Sequence, residues 1–253
     1  MIEIMWDSSD LTPVLQERAS MADADGFRYV LKVFVIGTLL LAPGVTVCMA
    51  AEYPETVQAL QERYQDEVEA HVSYGAFSDK ALVEGYPNSA YLFKSLAASE
   101  AIHARNFKRI LDTLGVGVPR ESLKPRPVKS TRSNILHATG VEADEIDHRN
   151  PAILARIKPE NHQAAIDNLT WAWEAEKQHR ELLGRMQDAA KKWFRFLIAH
   201  IEGEFVDYHV CQICGSTLVE RPAGHCPVCG RPASHYQQIP YVAAERAEPE
   251  EEE

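Results

Sequence analysis

Cysteine is scarce in this 253-residue chain outside one short stretch. Four of the five cysteines lie between Cys211 and Cys229, and Cys48 stands alone. This distribution excludes a disulfide framework spread over the chain, which is the pattern of small secreted domains. It favours a local metal site instead.

An excess of basic residues is also missing, since 26 Lys and Arg face 37 Asp and Glu and the formal net charge is -11. Residues 244–253 include six Glu and one Arg, which is typical of a solvated, disordered acidic tail. Neither part has the clustered Lys and Arg of nucleic-acid-binding proteins, so we predict no nucleic-acid partner. The sequence also lacks a Gly-x-Gly-x-x-Gly motif, so a separate protein must bind any nicotinamide donor.

Charged residues are absent from residues 33–51, and residues 33–42 form a strongly apolar run preceded by Arg28 and Lys32. Small residues precede a possible cleavage after Ala50. This layout is typical of a secretory signal peptide, so residues 1–51 are predicted to be a leader and the mature protein to be exported. Two alternatives stay open: an uncleaved membrane anchor, for which the run is short, and a hydrophobic arm of a cytoplasmic protein.

Residues 52–204 have the periodicity of four long helices. Apolar side chains recur every three or four residues from about 53 to 83, 88 to 114, 133 onward, and 160 to 202. Residues 115–127 contain two Gly and three Pro and predict a long connection between the second and third helices. Such a connection is typical of a four-helix bundle with one crossover.

Two Glu-x-x-His pairs lie near the middle of the second and fourth predicted helices. They are Glu100 with His103, and Glu176 with His179. Residues three apart leave a helix on the same face, so each pair projects a carboxylate and an imidazole together. Two such pairs that face each other in a bundle can hold two metal ions.

A third Glu-x-x-His pair, Glu145 with His148, lies just before Pro151. With 25 Glu and 10 His in the chain, about one such pair is expected by chance. We interpret His148 as a solvent-facing or helix-end histidine. Glu174 and His71 lie close to the predicted ligands in sequence, and we interpret them as a solvated residue and a core histidine.

Lone carboxylates on the first and third helices complete the predicted site. The full set of predicted ligands is Glu67, Glu100, His103, Glu142, Glu145, Glu176 and His179. Oxygen ligands with a few imidazoles and no thiolate suit iron or manganese in a site that changes oxidation state.

The cysteines form a second predicted site. Cys211-x-x-Cys214-Gly and Cys226-x-x-Cys229-Gly are two knuckles whose four thiolates can surround one ion as a tetrahedron. Knuckle spacing does not distinguish a structural zinc from a redox-active iron, so both remain open.

Taken together, Glu67, the two Glu-x-x-His pairs, the Glu142-x-x-Glu145 motif before Pro151 and the paired knuckles resemble the rubrerythrin family. The likeness covers about residues 52–241. It implies a mainly α fold, with a ferritin-like four-helix bundle at 52–204 and a small rubredoxin-like four-cysteine domain at 205–243. The leader at 1–51 and the tail at 244–253 flank them.

The resemblance also implies roles for residues. The seven carboxylates and imidazoles would hold two iron ions in a carboxylate-bridged site, and the four cysteines would hold one rubredoxin-type iron, or zinc. Glu142 would bind or release one iron as its oxidation state changes, and Tyr74 would hydrogen-bond near the site, so both would take part in catalysis. Asn150 stands where the family usually has a tyrosine, and the lost hydroxyl is expected to alter peroxide reactivity without removing iron.

The implied function is a peroxidase that reduces hydrogen peroxide to water and protects an anaerobe or microaerophile. Electrons would arrive through the four-cysteine iron from a rubredoxin or an NAD(P)H-dependent reductase. The protein would be a homodimer or a higher homo-oligomer, with one chain's four-cysteine domain near its partner's di-iron site. Two alternatives stay open: an iron-oxidising or iron-storing ferritin-like protein, and an electron carrier or interaction module with a structural zinc ribbon.

Overall fold

The computed structural model describes residues 52–118, 124, 126–193 and 206–241. The predicted leader and acidic tail lie outside these residues, so export stays a prediction that the mass of the mature N-terminus would test. Among the described helices, none combines the length and hydropathy needed to cross a bilayer.

The first part of the described chain is helical, and a small sheet follows it. The helices are α1 (Pro54–Val83), α2 (Pro87–Thr113), α3 (Thr131–Asp144), α4 (Asn150–Ile157) and α5 (Gln163–Trp193). A π-helical turn at Glu145–Arg149 joins α3 to α4, and a 3-10 turn at Lys158–Glu160 follows α4. The strands are β1 (His209–Cys211), β2 (Thr217–Leu218) and β3 (Tyr236–Gln238).

Local sequence signals explain most helix ends. α1 and α2 begin at proline, which lacks the N–H that the first helical position would leave unpaired. Gly85 and Gly115 follow α1 and α2 with φ of 78° and 73°, a conformation that favours glycine. The Ser130 side chain accepts a hydrogen bond from the Ser133 backbone N–H and caps α3.

The helix that includes α3 and α4 continues through Pro151. The Asn150 N–H donates to the Glu145 carbonyl, five residues earlier, in the π turn. Pro151 then occupies the first turn of α4, where a missing N–H is tolerated. His148 therefore does not end a helix. Its side chain is 76 % exposed and lies 3.3 Å from Asp144, in agreement with the solvent-facing interpretation.

α1 packs along α2, and α5 packs against both α2 and α3. Two apolar clusters fill the bundle. One includes Phe77, Phe93 and Leu183, and the other includes Leu60 and Phe107. Along α1 and α2 the predicted metal ligands lie between residues of the two clusters. The bundle therefore has a polar layer with an apolar core on each side.

The four-cysteine domain is a three-stranded antiparallel sheet of order β2-β1-β3. It packs against α2 and α5 of the same chain. The Tyr91 hydroxyl donates to the Ile239 carbonyl at 2.6 Å, and Lys94 Nζ donates to the Pro240 carbonyl at 3.0 Å. These two bonds attach the end of the domain to α2.

Candidate metal centres

The polar layer of the bundle contains every predicted carboxylate and imidazole ligand. Each of these seven side chains is buried. α1 contributes Glu67, α2 contributes Glu100 and His103, α3 and the π turn contribute Glu142 and Glu145, and α5 contributes Glu176 and His179. Ionisable groups are rarely buried unless they are paired or bind a metal, so this layer is the leading candidate for a functional site.

Five of the seven form two overlapping groups. Glu67, Glu100 and His103 offer ligand atoms within 4.8 Å of one another, and so do Glu100, Glu142 and His179. Glu100 belongs to both groups. His103 Nδ1 lies 2.9 Å from Glu100 Oε2, and His179 Nδ1 lies 3.1 Å from Glu100 Oε1. Each carboxylate oxygen of Glu100 thus faces one imidazole, which is the arrangement of a carboxylate that bridges two ions.

Unpaired polar atoms indicate that a pair of cations fits this site. Glu100 Oε2, His103 Nδ1, Glu142 Oε2 and His179 Nδ1 are all buried and make no hydrogen bond. Arg63 Nε, Arg63 Nη1 and Asn150 Oδ1 in the same layer are unpaired too. Buried polar atoms almost always have a partner, so the four atoms of the predicted ligands require an explanation. All four are atoms that bind metals, and they belong to the two groups just described. The donor set therefore fits two metal ions that share Glu100.

Glu145 and Glu176 are held differently, because Arg63 lies between them. Arg63 Nη2 donates to Glu176 Oε1 at 2.7 Å and to Glu145 Oε2 at 3.2 Å, and it also donates to Glu67 Oε1. Arg63 Nη1 lies 3.1 Å from Glu145 Oε1. The second oxygen of Glu176 accepts from Asn150 Nδ2. These two carboxylates thus face N–H donors, whereas Glu100 and Glu142 have free ligand atoms.

Sequence reasoning missed Arg63, although its position offered a signal. It stands three residues after Leu60 and four before Glu67, so it lies on the buried face of α1. From the sequence, Asn150 is only a departure from the tyrosine that is usual in the family. In the structure its amide donates a hydrogen bond to Glu176, so a donor is present where a hydroxyl was expected to be lost.

Tyr74 lies where the resemblance implies. Its hydroxyl donates to Glu142 Oε1 at 2.7 Å, and its ring is buried. Burial and the neighbouring Glu142 carboxylate hold the pKa of Tyr74 well above its usual value. Tyr74 therefore keeps its proton and fixes one oxygen of Glu142, which leaves the other oxygen unpaired.

Burial and mutual charge shift the protonation of the layer. Burial raises the pKa of Glu142 to about 7, although His179 opposes this shift. Burial disfavours charge on the two imidazoles too, but the facing carboxylates outweigh it. The pKa of His103 is raised to about 9 and that of His179 to about 10. Without metal the imidazoles therefore carry protons that neutralise the carboxylates, and metal binding must release those protons.

Glu174 and His71 have other partners, as interpreted from the sequence. Glu174 Oε1 accepts a hydrogen bond from Lys177 Nζ at 2.5 Å on the outer face of α5. His71 Nδ1 lies 2.8 Å from the Ala97 carbonyl. Neither side chain belongs to the metal-ligand groups of the described residues.

The four cysteines form the second candidate centre. They are free thiols that lie together, with Sγ atoms 3.9 Å apart for Cys211 and Cys229 and 3.6 Å apart for Cys214 and Cys226. Four sulfurs at the 2.3 Å bond length of a tetrahedral zinc site would be separated by about 3.8 Å. The cage therefore has the size that one ion needs. The Tyr236 hydroxyl also donates to Cys226 Sγ at 3.2 Å.

The first knuckle lies directly on the polar layer. His103 Nε2 lies 3.2 Å from the Cys214 carbonyl, and Thr217 Oγ1 lies 3.4 Å from His179 Nε2. The Ser99 hydroxyl donates to the Gly215 carbonyl at 2.6 Å. Because Nε2 faces the knuckle, Nδ1 of both histidines is left to face Glu100. In this structure the chain's own knuckle makes the contact that the resemblance assigns to a partner's domain.

Comparisons with known proteins agree with this architecture. The Rubrerythrin family model matches residues 58–187. Rubrerythrin-2 of Clostridium acetobutylicum is 29 % identical over 197 residues, which are 75 % of this chain and 99 % of the relative. Nigerythrin of Nitratidesulfovibrio vulgaris is 27 % identical over 180 residues, which are 70 % of this chain and 83 % of the relative.

Comparison with solved structures identifies the same fold. Nigerythrin in its fully reduced, all-ferrous state superimposes with a TM-score of 0.64 at 24 % identity, covering 73 % of this chain and 86 % of that chain. The likeness supports the predicted ferritin-like helical fold with a four-cysteine domain after it. Because the family model matches more than half of the sequence, the chain belongs to the rubrerythrin family, whose members are in general di-iron oxidoreductases of oxidative-stress defence.

Proposed function

We propose that this protein is a non-haem di-iron peroxidase that reduces hydrogen peroxide to water. The observation that carries the proposal is the position of Glu100, whose two oxygens each face the Nδ1 atom of one histidine. This geometry supports two adjacent ions with a shared carboxylate. A pair of ferrous ions would supply the two electrons that, with two protons, convert one hydrogen peroxide molecule into two water molecules.

The protein's own residues have three tasks in this proposal. Glu67 with His103, and Glu142 with His179, would each hold one ion on either side of Glu100. Glu145 and Glu176 would complete the ligand set from the Arg63 side. Tyr74 holds Glu142 through its hydroxyl, and it is a proton-bearing group within the layer.

Electron supply is the second part of the proposal. We place a redox-active iron in the four-cysteine cage, because the carbonyl of its ligand Cys214 lies 3.2 Å from the ring of His103. A cage that only stabilised the domain with zinc would need no contact with an imidazole ligand of the other centre. The same contact favours a peroxidase over a ferroxidase, which would use the bundle alone.

Metal analysis with a visible spectrum is the experiment that tests this function. Protein purified without added metal should contain three irons per chain, and its four-cysteine band should bleach on reduction and return with peroxide. Zinc in the cage, with a spectrum that ignores both reagents, would contradict the proposed electron path.

Replacing Cys211→Ser separates the two enzymatic alternatives. Loss of one cage ligand should abolish turnover driven by a reductase, because electrons no longer enter through the four-cysteine iron, while oxidation of added ferrous iron should persist. Glu220→Gln is the control, since Glu220 is an exposed residue of the same domain and is not a cage ligand. Unchanged reductase-driven turnover in Cys211→Ser would exclude the cage as the electron entry point.

Partners are also part of the proposal. The family resemblance supports a homodimer or higher homo-oligomer, and the absence of a dinucleotide motif supports a separate rubredoxin or NAD(P)H-dependent reductase as donor. Sedimentation of the purified protein would measure the assembly. A species that remains monomeric at micromolar concentration would rule out the dimer.

A further inference from the structure

Arg63 is a guanidinium in the middle of a predicted cation site. Its side chain is 0 % exposed, and its three closest carboxylates are Glu67, Glu145 and Glu176. Burying an arginine costs several kcal/mol unless hydrogen-bonded carboxylates surround it. These three carboxylates are predicted metal ligands, whereas Asp66, 3.7 Å from Arg63, is not. One fixed positive charge therefore shares the ligand set that would hold the two metal ions.

Counting charges shows what this guanidinium does. The layer contains five carboxylates, and they must be charged to bind metal. Its two histidines bind metal in their neutral form. Asp66 and Arg149 beside the layer pair with each other, so their charges cancel. Five negative charges and Arg63 leave four negative charges, which two divalent ions balance. Two trivalent ions would leave an excess of two positive charges. Inside a protein an unbalanced charge is costly, so the divalent pair is favoured.

We propose that Arg63 is a positioning residue that acts as a built-in third cation of the metal site, so that the divalent state of the metal pair is the electroneutral one. The inference rests on the metal-binding part of the proposed function and is independent of peroxide reduction. Nothing in the resemblance to the family assigns a role to this position.

The contacts of Arg63 also divide the site into two unequal halves. Both histidines, Glu100 and Glu142 keep ligand atoms without hydrogen-bond partners. The halves differ in their carboxylates, because Glu142 is held by Tyr74 whereas Glu67 is held by Arg63. Glu67 is shared, because its Oε1 accepts from Arg63 while its Oε2 lies 3.8 Å from His103 Nδ1. The ion near Glu67 therefore binds beside the guanidinium, and it should bind more weakly than the ion near Glu142.

Two variants separate the charge of Arg63 from its hydrogen bonds. Arg63→Lys keeps the charge, whereas Arg63→Gln removes the charge and keeps donors. Arg156→Met is the control for a lost arginine outside the layer, since Arg156 pairs with Glu55 and Glu62 on the partly exposed face of the bundle. The probe is Mn²⁺, because oxygen and imidazole ligands suit this ion and thiolates do not.

Titration of the full chain, with the cysteine cage loaded and the bundle free of metal, would be followed through the electron paramagnetic resonance signal of free Mn²⁺. We expect two ions per chain in the wild type, with unequal affinities. Arg63→Gln should lower the Kd of the weaker ion by roughly tenfold, because repulsion from one buried charge disappears. Arg63→Lys and Arg156→Met should bind as the wild type does.

The melting temperature gives a second readout that does not require a stable metal-free variant. The rise caused by Mn²⁺ should be larger for Arg63→Gln than for the wild type, because buried carboxylates lose their counter-charge in the metal-free form and regain it with metal. In iron-loaded protein the midpoint potential of the metal pair should move to more negative values.

The outcomes are distinguishable. Two Mn²⁺ ions bound with equal affinity by the wild type and Arg63→Gln, with an unchanged midpoint potential, would overturn the role of Arg63 and leave the metal site intact. A wild-type protein that binds no Mn²⁺ or iron in the bundle would overturn the metal assignment and the inference with it.

Discussion

Gly215 lies where the first knuckle meets the bundle, and a single methyl group at this position should separate the two domains. Its φ is +81°, and an added Cβ would lie 2.7 Å from Ser99 Oγ, 2.8 Å from His103 Cδ2 and closer still to His103 Nε2. Non-bonded carbon atoms do not approach this closely. Because His103 is buried in the polar layer, we expect the knuckle to move in Gly215→Ala.

Gly230 is the matched control, because it occupies the same position in the second knuckle. Its φ is +68°, and an added Cβ would meet no atom within 4 Å. Alanine in this left-handed conformation costs about 1–2 kcal/mol at either position. Any further loss in Gly215→Ala therefore measures the contact with the bundle.

The additional loss can be worked out from the contacts. Moving the knuckle breaks the hydrogen bond from Ser99 to the Gly215 carbonyl and separates His103 from the Cys214 carbonyl. Each buried hydrogen bond contributes about 1 kcal/mol net, and an unsatisfied partner costs more. We expect Gly215→Ala to lose about 3–5 kcal/mol of unfolding free energy and Gly230→Ala about 1–2 kcal/mol.

Urea unfolding of metal-loaded protein, followed by tryptophan fluorescence, would measure this difference. Stopped-flow reoxidation of the reduced four-cysteine iron by peroxide would report the functional side, and it should slow in Gly215→Ala alone. Equal losses of stability in the two alanine variants, with equal reoxidation rates, would refute the contact between the knuckle and His103.

Two further outcomes follow from hydrogen bonds outside the polar layer. In iron-loaded protein Tyr236→Phe should lower the reduction potential of the four-cysteine centre. The Tyr236 hydroxyl donates to Cys226 Sγ and so stabilises the reduced, more negative state of the centre. An unchanged potential in spectroelectrochemistry would contradict this reasoning. Glu84 accepts two hydrogen bonds from Thr131 at the start of α3, and these hold its pKa at about 2 instead of 4.5. Because the pKa of Glu84 is lowered in the folded protein, its charged form stabilises the fold above pH 4.5, and this stabilisation is lost as the pH falls towards 2. Glu84→Gln should therefore lower the free energy of unfolding by about 1 kcal/mol at pH 7 and leave it unchanged near pH 2. A pH-independent difference in thermal unfolding would exclude this origin.

The sequence predicted the two Glu-x-x-His pairs for a physical reason. Glu and His at a three-residue spacing can reach one site from a single helix. The apolar residues on the same helix indicate which side of the helix is buried, and therefore where the site lies. Glu100 and His103 therefore required no knowledge of the neighbouring helices. The cysteine knuckles were equally local, since both halves of the cage are four-residue turns.

Arg63 could not be predicted in the same way. An arginine is normally solvated, so its place on a buried face has meaning only when its partners are known, and Glu145 and Glu176 lie 82 and 113 residues away. The contact between the knuckle and His103 was missed for the same reason, since it joins residues 111 apart. Pro151 suggested a helix boundary because proline lacks an N–H, and only the wider turn before it reconciles proline with a continuing helix.

The wider turn at Glu145–Arg149 has a consequence for helical phase. An α-helix rotates by about 100° per residue, so a turn that contains one extra residue shifts the angular position of everything beyond it by that amount. α3 can therefore direct Ile135 and Ala138 into one apolar cluster while α4 directs Ile153 and Ile157 into the other, along a single rod. Deleting one residue of the turn should therefore restore a regular helix and leave both faces in place, whereas a regular helix that kept every residue would turn the apolar face of α4 away from its cluster.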